Sequence, residues 1–173
     1  LDSLNVFCNG NCTGMAWIAA SGGSPFAVGA PYIYSWSGGG VAIGNGDTLT
    51  QLCAGTYTAF VQDANGCVDS ISVTITEPTP IVIAMDSANL LCFGDSAGMA
   101  VALPSGGTPP YTFDWGGGNT NDTLSNLFAG CYTVTVTDSL GCSDTATVCV
   151  TEPTDVILSI SQTDVLCYGD TNG

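Results

Sequence analysis

The groups in this chain that could do chemistry are thiols and carboxylates. Nine Cys, thirteen Asp and two Glu stand in 173 residues that contain no Lys, Arg or His. A short chain so rich in Cys points to disulfide bonding in an oxidising, extracellular compartment. A metal site is disfavoured, because no Cys-x-x-Cys spacing and no His occur. The same absences remove the imidazole base, the Schiff-base amine and the guanidinium clamp. Carboxylate-only chemistry of the glycosidase kind needs two carboxylates about 5–10 Å apart in a cleft. Small repeated units offer no obvious cleft, so the expectation is a protein that is not an enzyme and holds no cofactor. A net charge of −15 leaves nothing to replace counterions on a phosphate backbone, which excludes nucleic acid as a partner.

Eight of the Asp are followed by Ser or Thr and then an aliphatic residue, as in Asp2-Ser3-Leu4 and Asp144-Thr145-Ala146. The triplet resembles the O-glycosylation signal of Bacteroidetes, in which the hydroxyl residue is the acceptor. The candidates are Ser3, Thr48, Ser70, Ser87, Ser96, Thr123, Ser139 and Thr145. Asp-Ser and Asp-Thr also cap turns through side-chain hydrogen bonds, which is the competing reading. Asn11 and Asn121 head N-glycosylation sequons. Sugars on outward hydroxyls would guard sheet edges that no lysine protects. Calcium is the other use for such oxygens, with Asp95, Asp170 and Asp122 as weak candidates and no Asp-x-Asp-x-Asp loop to hold them.

The elements that must position these groups are strands. From Cys131 to Pro153, Tyr132, Val134 and Val136 alternate with Thr133, Thr135 and Thr137, and Ala146, Val148 and Val150 follow after the turn DSLGC. Alternation on both sides of a Gly-containing turn is a hairpin with one buried face. The same hairpin occurs at 56–78, with Gly66-Cys67 and Glu77-Pro78 aligned to Gly141-Cys142 and Glu152-Pro153 at an offset of 75. The pattern apolar–apolar–Cys–x–Gly recurs at 4–14, 89–98 and 164–173. Residues 1–79 and 80–154 therefore read as two β-sandwich units, and 155–173 as the first strand of a third, incomplete one. That strand belongs either to a longer tandem array, which is favoured, or to a neighbouring subunit that it completes by strand addition. The first copy is longer by nine residues, most of them in the Gly-rich stretches 26–30 and 38–46, which read as loops. Six or seven short strands per unit and no helical period predict an all-β chain of tandem immunoglobulin- or fibronectin-III-like sandwiches. Trp36 and Trp115 are expected in the cores, and Tyr57 and Tyr132 as tyrosine corners. The longest apolar runs are too short to cross a bilayer, and no signal peptide is legible at Leu1.

This arrangement sets the cysteine pairings. Cys131 and Cys149 lie at matching distances from the hairpin turn and should face each other, whereas the first copy has Thr56 and Thr74 there. Cys12 and Cys53 fall in turns at one end of the first unit and form a second pair. The cysteines shared by the copies, Cys8, Cys92 and Cys167 in the first turn and Cys67 and Cys142 in the hairpin turn, lie at opposite ends of a unit. Units stacked end to end would bring Cys8 to Cys142, leaving Cys67, Cys92 and Cys167 to partners further along.

The assembled pattern, CxG…GG…PPYTFDW…LxxGxY…VxDxxGC…TEP, closely resembles the SprB repeat. The first copy departs from it by inserting FAVGA before Pro31-Tyr32. The resemblance implies export by a type IX secretion system, a place on the cell surface of Bacteroidetes, and a role in gliding-motility adhesins and other giant surface proteins. It implies no catalytic residues. The expected function is a structural segment of a glycosylated, disulfide-braced fibril or adhesin stalk. Its partners would be neighbouring repeats or identical subunits in a filament. The alternative is a module that binds polysaccharide through Tyr32, Tyr34, Trp17 or Tyr111.

Overall fold

The computed structural model of the chain describes residues 1–38 and 41–162. The calcium candidate Asp170, Cys167 and the third copy of the Cys-x-Gly turn lie outside the described residues. The chain is all-β, with thirteen strands and no helix among the described residues.

Module 1 contains β1 (Asp2–Leu4), β2 (Gly14–Trp17), β3 (Ile33–Gly38), β4 (Val41–Asn45), β5 (Thr48–Leu52), β6 (Gly55–Gln62) and β7 (Val68–Ile75). They form a sheet of order β1-β2-β5 and another of order β4-β3-β6-β7, antiparallel throughout. Module 2 contains β8 (Val82–Ala88), β9 (Gly98–Ser105), β10 (Thr112–Asp114), β11 (Thr123–Leu127), β12 (Gly130–Thr137) and β13 (Ser143–Val150). Its sheets run β11-β9-β8 and β10-β12-β13. The extra strand of module 1 is β4, and it corrects the expectation of a loop at 38–46. Val41–Asn45 turns back on β3 and gains backbone hydrogen bonds that an open loop would leave to water.

The period-two pattern dictates the cores. Val134, Val136 and Val150 point inward and are buried, while the threonines between them face out. Trp36 is buried against Val6, Ala16, Leu52, Ala59 and Ile75. Trp115 is half-buried and joins both core clusters of module 2. Each indole N–H donates to a carbonyl of the following turn, Trp36 to Gly46 at 2.9 Å and Trp115 to Asn121 at 2.8 Å. The indole hydrogen bond thus recurs in both modules, with Trp36 inside its core and Trp115 half-buried at the edge of its own. Both tyrosine corners form, with the Tyr57 hydroxyl donating to the Cys53 carbonyl at 3.0 Å and Tyr132 to Phe128 at 2.9 Å.

One irregularity repeats in both modules. Gln51 and Asn126 have φ of 59° and 58°, immediately before the core residues Leu52 and Leu127. The pairing register of β11 with β9 shifts between Ser125 and Leu127. A bulge of this kind adds one residue to the strand and swings the next side chain inward. Residues 155–162, read as the opening of a third first strand, lie in no strand. Among the described residues they have no partner to complete a ladder.

Candidate functional site

The sites of this chain are its module ends, built from a repeated set of polar contacts. At the hairpin end of each module an Asp collects backbone N–H groups. Asp138 accepts hydrogen bonds from Thr108, Leu140 and Cys142, each at 2.9 Å. Asp63 accepts from Ser24, Asn65 and Cys67 at 2.9–3.0 Å. Both carboxylates are nearly buried. The amides of Ser24 and Cys67 hold the Asp63 carboxyl below its ordinary pKa against the opposing effect of desolvation. Burial pushes Asp138 upward, but the amides of Thr108, Cys142 and Leu140 outweigh it, and its pKa too lies below the ordinary value.

At the opposite, exit end, the Glu of the Thr-Glu-Pro motif reaches into the first turn. Glu77 accepts from the Gly10 amide at 2.6 Å and Glu152 from Gly94 at 2.7 Å. Asn5 and Asn89 accept from the amides of Thr76 and Thr151 at 3.0 and 2.9 Å. Sequence reasoning assigned no role to Asp63, Glu77, Glu152, Asn5 or Asn89. Their recurrence at the repeat offsets was the available signal.

Between the modules the exit end of module 1 meets the hairpin end of module 2. Cys8 is bonded to Cys142, with Cα atoms 5.5 Å apart across 134 residues of sequence. The linker is held by the Gly107 amide donating to the Thr79 carbonyl at 2.9 Å. Cys12 is bonded to Cys53, and Cys131 to Cys149 across directly paired positions of β12 and β13. In module 1 the counterparts Thr56 and Thr74 face each other with hydroxyls 3.3 Å apart. Cys67 and Cys92 are unpaired and exposed among the described residues.

The Asp-Ser/Thr pairs are engaged locally. The amides of Ser3, Ser70, Ser87, Ser96 and Thr145 donate to the preceding Asp, and the hydroxyls of Thr48 and Thr123 do the same. Thr48, Ser70, Ser139 and Thr145 are exposed, whereas Ser3, Ser87, Ser96 and Thr123 are half-buried. The Ser139 hydroxyl donates to the Thr108 carbonyl at the junction. Asn11 and Asn121 are exposed. Asp95 and Asp122 each bond to their own neighbour, and no group of three metal-ligating side chains occurs among the described residues. The aromatic candidates do not form one platform. Tyr32 and Tyr111 are half-buried with hydroxyls donating to the Gly22 and Gly106 carbonyls, Tyr34 stands edge-on to Tyr32, and Trp17 alone of the four is exposed.

A family model described as the SprB repeat matches residues 2–41 and again 84–120. No curated relative matches the chain. Among solved structures the chain is similar to the three N-terminal domains of the highly immunogenic outer capsid protein (Hoc) of bacteriophage RB49. That likeness has 18% identity and a TM-score of 0.50, and it covers 86% of this chain and 57% of the other. The amphioxus IgVJ-C2 molecule is similar at 16% identity and a TM-score of 0.34, covering 79% of this chain and 94% of the other. The four N-terminal Ig domains of Dscam1 isoform 9.44 are similar at 13% identity and a TM-score of 0.35, covering 83% of this chain and 46% of theirs. At such identities the likeness concerns the fold alone. A match to the SprB-repeat model thus falls in each of the two sandwiches, at residues 2–41 in the first and 84–120 in the second.

Proposed function

We propose that the chain is a load-bearing segment of an extracellular surface fibril or adhesin stalk, built for reach and toughness and exported to the cell surface. The observation that carries this reading is the Cys8–Cys142 bridge, which ties two successive repeats across their junction. A covalent junction resists separation of the modules under tension, a property that a catalyst does not need. The second support is the local bracing within each module by Cys12–Cys53 or Cys131–Cys149. Glycans on the exposed Thr48, Ser70, Ser139 and Thr145 would keep this lysine-free surface from pairing sideways. The alternative, polysaccharide binding through Trp17 and the neighbouring tyrosines, draws support from the exposure of Trp17.

Single-molecule stretching of the oxidised monomer tests the stalk. Extension should stop short by the length of chain enclosed by Cys8 and Cys142, and replacing both by serine should release that length except for the loops still closed by Cys12–Cys53 and Cys131–Cys149. Full extension of the oxidised chain would overturn the reading, as would a glycan-array signal that Trp17→Ala abolishes. Intact mass of this 173-residue segment, recovered after secretion, reports separately on glycans, whose signature is a multi-kilodalton excess over 17.5 kDa.

A further inference from the structure

In module 2 the central strand β9 puts its small residues inside and its large ones outside. Ala100 and Ala102 point into the core and are 0% and 1% exposed. Met99, Val101 and Leu103 alternate with them on the outer face, where Met99 is 37% and Leu103 53% exposed. On the adjoining strand β8, Ala88 pairs with Met99, Ala84 with Leu103 and Val82 with Ser105, so the apolar surface continues across two strands. Val82 is 56% exposed. The run from Met99 to Leu103 has the unbroken apolar character of a strand covered on both sides, yet one side is bare. The other outer face of the same module is clad in hydroxyls instead. There Thr133, Thr135 and Thr137 pair with Thr147, Thr145 and Ser143, the polar exterior expected of an antiparallel sheet that meets water.

Carboxylates bound this face at repeated positions. Asp86 pairs with Val101 and Val101 with Thr123, which makes one row across three strands. Asp2, Trp17 and Thr48 make the same row in module 1, and Met15 stands there beside Leu4 as Met99 stands beside Ala88. Trp17 and Leu4 are exposed. Asp86 and Asp2 are exposed and accept from the amides of Ser87 and Ser3. At the other end of the row the Thr123 hydroxyl donates to Asp122 and the Thr48 hydroxyl to Asp47, both exposed carboxylates. In each module, then, an apolar stripe passes between two negative charges.

We propose that this outer face docks a protein partner whose contact surface is an apolar ridge flanked by lysine or arginine. Met99, Val101, Leu103 and Val82 supply the apolar area, and the carboxylates at the ends of the row select the charge of what lies on it. A second copy of this chain is a poor occupant, because it brings the same carboxylates and no cation to meet them. Recurrence of the row gives two such sites on one chain, so a partner with two ridges gains from holding both at once. This goes beyond the stalk reading: it concerns what the side of the segment holds, not how the segment bears tension, and the stretching experiment does not touch it.

The probe is the capped peptide KLKLKLK, with KSKSKSK as a control of equal charge, titrated into the isotope-labelled 173-residue chain and followed by amide chemical shifts. Shifts should move along 82–88, 99–105 and 123–125 and along the matching row of module 1, and stay in place on the threonine face of β12 and β13. The serine peptide should bind at least about tenfold more weakly. Met99→Ser with Leu103→Ser changes two exposed side chains and should weaken binding at module 2 by about tenfold. Asp86→Asn should weaken it by about threefold and flatten its salt dependence, which keeps the test sharp if the double variant folds poorly. Shifts centred on the threonine face, equal binding of the two peptides, or an Asp86→Asn chain that binds like wild type would each overturn the proposal. So would self-association of the peptide-free chain through this face in sedimentation velocity, which would make a second copy the occupant.

Discussion

Gln51 and Asn126 occupy the same left-handed position in the two modules, and they do not bear it equally. Asn tolerates positive φ because its short side chain bonds locally, whereas Gln meets the full steric cost of about 1–2 kcal/mol. Gln51→Asn should therefore stabilise module 1 by up to about 1 kcal/mol, read as a higher denaturant midpoint with an unchanged slope. The buried Asp pair makes a second prediction at this scale. Each carboxyl has a folded pKa below its ordinary value, so its stabilisation is complete above the unfolded value and is lost as pH falls through the folded one. Wild type should lose stability below about pH 4. Asp63→Asn with Asp138→Asn should be less stable at pH 7 and flatter through that acid range, as followed by thermal melts. Equal pH slopes in the two proteins would remove the assigned role.

Strands carry the next scale, where the two hairpins differ at one pair of facing positions. Thr56 and Thr74 face each other as Cys131 and Cys149 do. Thr56→Cys with Thr74→Cys should therefore oxidise spontaneously and stabilise module 1 by about 3 kcal/mol, the expectation for closing a loop of this length. A thiol count before and after reduction, together with the melting shift, checks it. The alternation of Val and Thr already placed both pairs on one outward face, so this element was legible from residue types alone. The extra strand β4 was not. Gly38 and the glycines around it look like a loop, and pairing with β3 is a non-local gain that local composition does not register.

For the whole molecule, the junction is the decisive feature. Replacing Cys8 and Cys142 by serine should leave both sandwiches folded, because their cores are separate, while uncoupling their orientation. Small-angle scattering should then show a broader distribution of inter-module distances and unchanged secondary structure by circular dichroism. Charge acts at this scale too. With fifteen carboxylates and no cationic side chain, self-repulsion is opposed only by solvent ions. The melting temperature should rise between low salt and about 0.15 M, where the Debye length shortens to about 8 Å.

Residue types and their spacing were enough to establish the repeat, the sandwich fold, the core tryptophans, the tyrosine corners and the three cysteine pairs. Each of these follows from periodicity within a strand or from comparing two copies of one unit. Tertiary structure alone decided the rest. It brought Asp63 and Asp138 under converging amides and set Glu77 and Glu152 on the first turns. These depend on which backbone groups remain unpaired once the sheets have closed, and that is a property of the assembled ladders, not of any window of residues.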